Sequence, residues 1–204
     1  MVAAASIAML LAACTSGTGT PGNTKAGPAA VSGHPPASPG SRPASSAVPA
    51  AQSVLDCGAV IGSQASPAPM QVVLGVVALP ASPGYPALGT SLSGNGNGPL
   101  RLFAKTGLLI RPGATFELIV PDAFTSRLSI GWGSPGIPSH RVLVDNCAGA
   151  GTGGAWLAYA GGYWIDSPGC VPVIVSAGGK QQEVHIGVGT ACPGQRPPQE
   201  RMQS

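Results

Sequence analysis

The chain has 204 residues, of which 31 are glycine and 22 are proline, and only 8% of its residues are charged. Lys and Arg exceed Asp and Glu by 10 to 7, yet residues 54–192 hold six of each sign. The net charge of +3 therefore lies outside that segment. Because nucleic-acid binding depends on many contacts between cations and phosphates, we expect no nucleic-acid partner.

Residues 1–13 are almost wholly apolar and uncharged, and the sequence LAAC that ends at Cys14 matches a lipobox. The apolar run is shorter than the roughly 20 residues that a spanning helix needs, so it is typical of a signal-peptide h-region that is removed. Cys14 would then carry the lipid. A signal peptide usually starts with a basic n-region, but the first basic residue is Lys25, which suggests that translation begins upstream of Met1.

Residues 14–53 consist mainly of Pro, Ala, Ser, Gly and Thr. Such a composition buries too little apolar surface to offset chain entropy, which predicts a disordered tether. Residues 54–192 have the length of one ordinary domain, and residues 193–204 are predicted to be a disordered tail.

Short β-rich runs separated by turn residues predict an all-β domain. Phe116, Leu118 and Val120 alternate and should share one face. Pro112-Gly113 predicts a turn, and Gly161-Gly162 predicts a two-residue hairpin. The pattern favours an antiparallel β-sandwich, Ig-like in the broad sense, or a small barrel. The predicted strands are 70–79, 100–105, 107–110, 115–121, 127–132, 141–147, 155–160, 163–166, 170–176 and 183–189.

Four cysteines follow Cys14, and none forms a C-x-x-C pair, which argues against a zinc ribbon. An even number of cysteines in an exported domain indicates two disulfides. Three pairings are possible. The interpretation chosen is Cys57–Cys192, which would close the ends of the domain, together with Cys147–Cys170.

A literal G-x-G-x-x-G occurs at Gly149, Gly151 and Gly154. A dinucleotide site would need a helix directly after these glycines, whereas the following residues are β-prone and are interrupted by Gly161-Gly162. We therefore expect a loop and no cofactor. No known metal-ligand spacing is present either.

Candidate catalytic residues are few and scattered. Ser134 sits in WGSPG, where Trp132 replaces the glycine of a nucleophile elbow and Pro135 would block the following helix. The remaining candidates for a wall-polysaccharide or ester hydrolase are His140, His185, Asp122, Asp145 and Asp166.

Four of the nine aromatic residues fall within residues 156–164. If Gly161-Gly162 forms a hairpin, Tyr159 and Trp164 make a cross-strand pair on one face, with Trp156 and Tyr163 on the other. One face must be core, and the Tyr159/Trp164 face could present flat rings to a sugar or a partner protein.

Cys147 is followed by WLAYAGGY (156–163), CVPVIV (170–175) and IGVGTAC (186–192), behind a lipobox and a Pro/Ala tether. This arrangement resembles uncharacterised secreted lipoproteins of high-GC actinobacteria, and the resemblance implies export and anchoring but no chemistry. We expect a noncatalytic binding or scaffolding module on the extracytoplasmic face of the cell membrane. Its partner would be a wall glycan or an envelope protein, and the alternative is the hydrolase.

Overall fold

The computed structural model of the chain describes residues 51–94, 98–148 and 155–199. The signal-peptide segment, Cys14, the tether up to residue 50, and the glycines of the G-x-G-x-x-G motif lie outside the described residues. Those predictions are therefore not addressed by the structure.

The described residues form twelve strands and two short 3-10 helices, Cys57–Ala59 and Asp122–Phe124. The strands are β1 (Ser53–Val54), β2 (Val60–Gln64), β3 (Gln71–Val73), β4 (Val77–Leu79), β5 (Ser91–Leu92), β6 (Leu102–Ile110), β7 (Phe116–Ile119), β8 (Leu128–Trp132), β9 (Arg141–Val144), β10 (Trp156–Ile165), β11 (Gly169–Ala177) and β12 (Lys180–Val188).

The strands form two sheets that are antiparallel except where β1 pairs in parallel with β9. The five-stranded sheet has the order β1-β9-β7-β11-β12. The seven-stranded sheet has the order β2-β10-β6-β4-β3, with β5 beside β6 and β8 beside β10. The predicted all-β fold is confirmed: within the described ranges neither sheet closes into a barrel, so the sandwich is the alternative that holds.

One apolar core cluster draws residues from both sheets, as expected for a β-sandwich. The predicted alternation in β7 is confirmed, because Phe116, Leu118 and Val120 are all buried. From the seven-stranded sheet, Leu108 and Tyr159 join the same cluster. Because side chains alternate between the two faces of a strand, every second residue points to the inner face of its sheet and joins the core.

Several strand predictions differ from the structure, and β1, β2 and β5 were not predicted. Residues 70–79 divide into β3 and β4, because Leu74 and Gly75 take positive φ angles of 48° and 73° and turn the chain. Residues 100–105 and 107–110 belong to one strand, β6. The turn at Pro112-Gly113 is confirmed, with φ of 76° at Gly113, and it leads from β6 into β7 of the other sheet.

The predicted hairpin at Gly161-Gly162 is wrong. β10 runs straight through both glycines and stays in register with β6 from Leu157 to Ile165. A Cβ on Gly161 would strike the carbonyl oxygen of Gly131, and one on Gly162 would strike the carbonyl oxygen of Ala104. The glycines are required because β6 and β8 approach β10 closely from its two sides, not because the chain turns.

The four predicted disulfide cysteines are all bonded, but the chosen pairing is wrong. The bonds are Cys57–Cys147 and Cys170–Cys192. Parallel pairing of β1 with β9 carries the chain after β1 alongside the chain after β9, which brings the first pair together. Cys170 pairs with Gly187 in the β11/β12 ladder, and the chain leaving β12 returns to it at Cys192.

Candidate functional site

The predicted contact residues Tyr159 and Trp164 do not form an exposed surface, so that prediction is wrong. Tyr159 has 0% and Trp164 has 8% of its surface exposed. Because β10 is one continuous strand, the two residues also point to opposite faces of the sheet. The Tyr159 hydroxyl donates to the carbonyl oxygen of Cys57 at 3.3 Å, and Trp164 packs on Phe103 with ring centroids 4.6 Å apart.

The other two aromatic residues of β10 are buried as well. Trp156 is covered by Arg111, whose guanidinium carbon lies 4.3 Å from the ring centroid. Tyr163 packs edge-to-face on Trp132 at 5.5 Å. Its hydroxyl is buried without a hydrogen-bond partner among the described residues, and burial, followed by the charge of Tyr85, raises the pKa of Tyr163. The aromatic run of the sequence therefore builds the interior.

The histidines considered for a hydrolase lie far apart. His140 immediately precedes β9 and His185 lies on β12, so three strand spacings of one sheet separate them, roughly 14 Å. The imidazole Nε2 of His140 is buried without a hydrogen-bond partner among the described residues. His185 is exposed, and its Nε2 lies 3.4 Å from a carboxylate oxygen of Glu183.

The candidate acids occupy separate surroundings. Asp122 is exposed in a 3-10 helix, and Asp145 accepts a hydrogen bond from Thr115. Asp166 forms a salt bridge of 3.1 Å with Arg127. Burial acts to raise the pKa of Asp166, but hydrogen bonds from Ser167 and Arg127 and the charge of Arg127 outweigh it and hold the pKa below 3.8. These contacts give Asp166 a structural role.

Within the described part of the chain, no three His, Cys, Asp or Glu side chains are grouped closely enough to hold a metal ion. Among the same residues, no helix has the length and apolar character that a helical membrane crossing requires.

A cleft of about 190 Å³ lies where β1 and the end of β8 meet, and we call it the Trp132 cleft. β8 ends at Trp132, and the loop that follows it folds back so that the carbonyl of Ile137 sits against Gly131. The Trp132 cleft is lined by Ser53, Val54, Asp56, Trp132, Gly133, Ser134, Pro135 and Ile137.

Two features position this loop. Gly133 has φ of 116°, a backbone conformation that favours glycine, and its N–H donates to the carbonyl oxygen of Ala160 at 2.9 Å. Ile130 and Ser139 then exchange two backbone hydrogen bonds of 2.9 Å each. The loop between them is held at both ends, so Ile137 stays at the rim of the cleft.

The lining of the Trp132 cleft mixes polar residues with exposed apolar side chains and includes one carboxylate. Val54 is 62% and Ile137 is 51% exposed, and both are among the few large apolar side chains that the described surface exposes. Asp56 is the ionisable residue in the lining. Its Oδ1 accepts the N–H of Gly58 at 2.8 Å, which fixes the carboxylate at the start of the first 3-10 helix.

A second cleft of about 340 Å³ lies beside the edge strand β12, and its lining includes His185 and the Cys170–Cys192 disulfide. Gln195 closes one side of it. The Oε1 of Gln195 accepts from Gly187 at 2.9 Å, and its Nε2 donates to Pro80 at 2.9 Å. Because these bonds tie the C-terminal segment to the domain, this cleft is primarily a structural junction.

Sequence reasoning did not identify the Trp132 cleft. Ser134 was considered only as a nucleophile; it is exposed and lines the cleft, and the lining contains no histidine. The available signal was the unusual density of Gly and Pro after Trp132, which predicts an irregular loop.

Comparisons of the chain with protein-family models, with curated proteins and with solved structures found no match.

Proposed function

We propose that this chain is a lipid-anchored protein of the extracytoplasmic membrane face, whose β-sandwich is a noncatalytic module that binds an envelope protein through the Trp132 cleft. The observation that carries the proposal is the exposure of Val54 and Ile137 on the two walls of one cleft. Large apolar side chains that stay exposed together are a common mark of interaction surfaces.

A protein partner fits this cleft better than a glycan. Sugar recognition by stacking needs an exposed aromatic face, and the clustered aromatic residues of β10 are buried. The cleft instead offers the exposed aliphatic side chains of Val54 and Ile137 and little exposed ring, because Trp132 is a core residue. Protein–protein contacts commonly seat an anchor side chain of one partner in a pocket of the other.

The anchoring part of the proposal depends on the lipobox at Cys14 and on the tether that follows it. β1 begins at Ser53, the last residue of the predicted tether, and Ser53 and Val54 both line the Trp132 cleft. The cleft thus lies where the tether joins the domain.

Anchoring is tested by membrane fractionation of the full-length chain expressed in its native host. The variant Cys14→Ala should move from the membrane fraction to the soluble fraction, because alanine has no thiol to carry the lipid. A Cys14→Ala chain that still sediments with membranes would refute the anchor.

Partner binding is tested with two matched surface variants of the full-length chain, Ile137→Asn and Leu92→Asn. Both residues are exposed isoleucine or leucine side chains, but Leu92 lies on β5 and is not in the cleft lining. We expect Ile137→Asn to lose an envelope protein that co-purifies with the wild type after membrane solubilisation, while Leu92→Asn retains it. Equal recovery by all three chains, or equal loss from both variants, would contradict the proposal.

A further inference from the structure

We infer that the Trp132 cleft takes the side chain of a lysine, that is, an ammonium group on an aliphatic stem, presented by the partner protein. This inference rests on the proposed function and specifies its chemistry. It follows from the carboxylate of Asp56 and from the apolar side chains that line the same cleft.

The charge of the cleft is negative and is not neutralised internally. Asp56 is exposed, and none of the ion pairs among the described residues includes it. Among the described residues, Oδ1 of Asp56 has a hydrogen-bond donor, the N–H of Gly58, and Oδ2 has none. The second oxygen is left to accept from a ligand, and an ammonium donor is the natural complement of a carboxylate.

A second carboxylate strengthens the negative potential at this end of the five-stranded sheet. Val54 pairs with Leu143, so the parallel register carried two residues further places Asp56 level with Asp145. The sulfur of Cys57 lies 3.8 Å from the carbonyl oxygen of Asp145, which confirms that the two chain segments remain adjacent. Asp145 also has no ion-pair partner among the described residues.

The walls suit an aliphatic stem. Val54, Pro135 and Ile137 contribute apolar side chains to the lining, beside the polar residues Ser53 and Ser134. A lysine has four methylene groups between its backbone and its charge, and lysine side chains commonly lay these groups on apolar surface while the ammonium reaches a polar partner. The carboxylate and the aliphatic rim of the cleft match these two parts of the side chain.

Trp132 borders the cleft on the side of the core, and only 4% of its surface is exposed. Its indole N–H donates to the buried carbonyl oxygen of Thr106 at 3.2 Å, so that donor is already engaged and does not oppose a cationic ligand.

The experiment compares two small probes that differ only in charge, Nα-acetyl-lysine N-methylamide and Nα-acetyl-norleucine N-methylamide. Each is titrated into the full-length chain carrying Cys14→Ala, and the backbone amide signals of Gly133 and Ile137 are followed by NMR. The matched variants are Asp56→Asn, which retains an oxygen for the Gly58 N–H, and Asp122→Asn, which removes an exposed carboxylate outside the cleft.

We expect the lysine probe to bind saturably and about fivefold more tightly than the norleucine probe, which is the upper range for an exposed ion pair. Asp56→Asn should abolish that preference, and Asp122→Asn should keep it. Equal binding of the two probes, no shift with either probe, or an unchanged preference in Asp56→Asn would overturn the inference.

The two proposals can fail separately. If Ile137→Asn loses the envelope protein but the probes show no charge preference, the cleft is a protein-binding surface that does not select lysine. If the lysine probe binds through Asp56 but Ile137→Asn retains the envelope protein, the cleft is a site for free amines. The proposed function is then wrong, and so is the part of the inference that assigns the lysine to a partner protein.

Discussion

Strand β10 and the Trp132 cleft are both aromatic regions, but they use their rings in different ways. In β10 the side chains of Trp156, Tyr159, Tyr163 and Trp164 are all buried by neighbouring strands and loops. In the cleft the ring of Trp132 is also buried, and Val54 and Ile137 are the large apolar side chains that are exposed. Clustering of aromatic residues in a sequence thus marks the interior here, while the proposed contact surface is assembled from distant segments.

The comparison predicts that changes in β10 affect stability and changes in the cleft affect binding. The first and largest effect concerns Gly162. An alanine Cβ there would collide with the backbone of Ala104 and come within 2.9 Å of Phe103. Backbone atoms of a central strand cannot move aside, so Gly162→Ala should destabilise the domain by about 4 kcal/mol or more.

The matched control is Gly62→Ala on the edge strand β2, where an added Cβ would meet nothing within 4 Å. Its effect should stay within about 0.5 kcal/mol. Urea unfolding monitored by tryptophan fluorescence measures both variants. Similar urea midpoints for Gly162→Ala and Gly62→Ala would mean that the neighbouring strands do not approach β10 as closely as described.

The two disulfides differ in loop length and in place, because only one of them lies beside the Trp132 cleft. Cys57–Cys147 spans 90 residues and adjoins the Trp132 cleft through Asp56, whereas Cys170–Cys192 spans 22. Chain-entropy arithmetic gives about 4.5 kcal/mol for the first and about 3.5 kcal/mol for the second.

Double alanine variants of each pair, compared by urea unfolding, should reproduce that order. Peptide mapping without reduction provides the control, and a Cys57–Cys192 peptide would contradict the pairing.

Two tyrosines of β10 should respond to loss of their hydroxyls with opposite signs. The Tyr159 hydroxyl donates to Cys57, while that of Tyr163 is buried without a described partner. Tyr159→Phe should lower the free energy of unfolding by about 1 kcal/mol, and Tyr163→Phe should raise it by about 1 kcal/mol, because an unsatisfied buried hydroxyl is removed. Thermal unfolding of the two variants tests this, and changes of the same sign would argue against the described hydrogen bonding.

The smallest effect is the pH dependence of the Arg127–Asp166 pair. The pKa of Asp166 is below 3.8 in the folded state, so the carboxylate contributes stability above its unfolded pKa and loses it as the pH falls through the folded value. The side chains of Arg127 and Asp166 are 53% and 32% exposed, which limits the contribution to less than about 1 kcal/mol.

Asp166→Asn should therefore be slightly less stable than the wild type at pH 7, and the difference should shrink as the pH falls below the unfolded pKa and vanish below the folded pKa of Asp166. Unfolding curves across that range measure it. A difference that persists in acid would show that the asparagine disturbs packing instead.

Alternation and turn chemistry were sufficient to predict the all-β class, the buried face of β7 and the Pro112-Gly113 turn from the sequence, but not the short strands β1, β2 and β5. Gly161-Gly162 was misinterpreted because two situations, a tight turn and a close approach of neighbouring strands, both require glycine. The wrong strand break then placed Tyr159 and Trp164 on one face. The disulfide pairing was open because four cysteines permit three pairings and only the fold selects one.

The Trp132 cleft was beyond sequence analysis for a different reason. Asp56, Trp132 and Ile137 are brought together by the parallel pairing of β1 with β9 and by the return of the loop after β8. Neither feature has a local pattern in the sequence. Long-range pairing of this kind depends on the whole arrangement of strands.

The central claim, that contact is made at the cleft and not at the aromatic strand, is tested most directly by photo-crosslinking in the native host. A photoreactive phenylalanine is placed at position 137 or at position 164 of the full-length chain, and crosslinked products are identified by mass spectrometry. The account predicts a discrete envelope protein crosslinked from position 137 and none from position 164. A partner captured from position 164, or none from position 137, would contradict it.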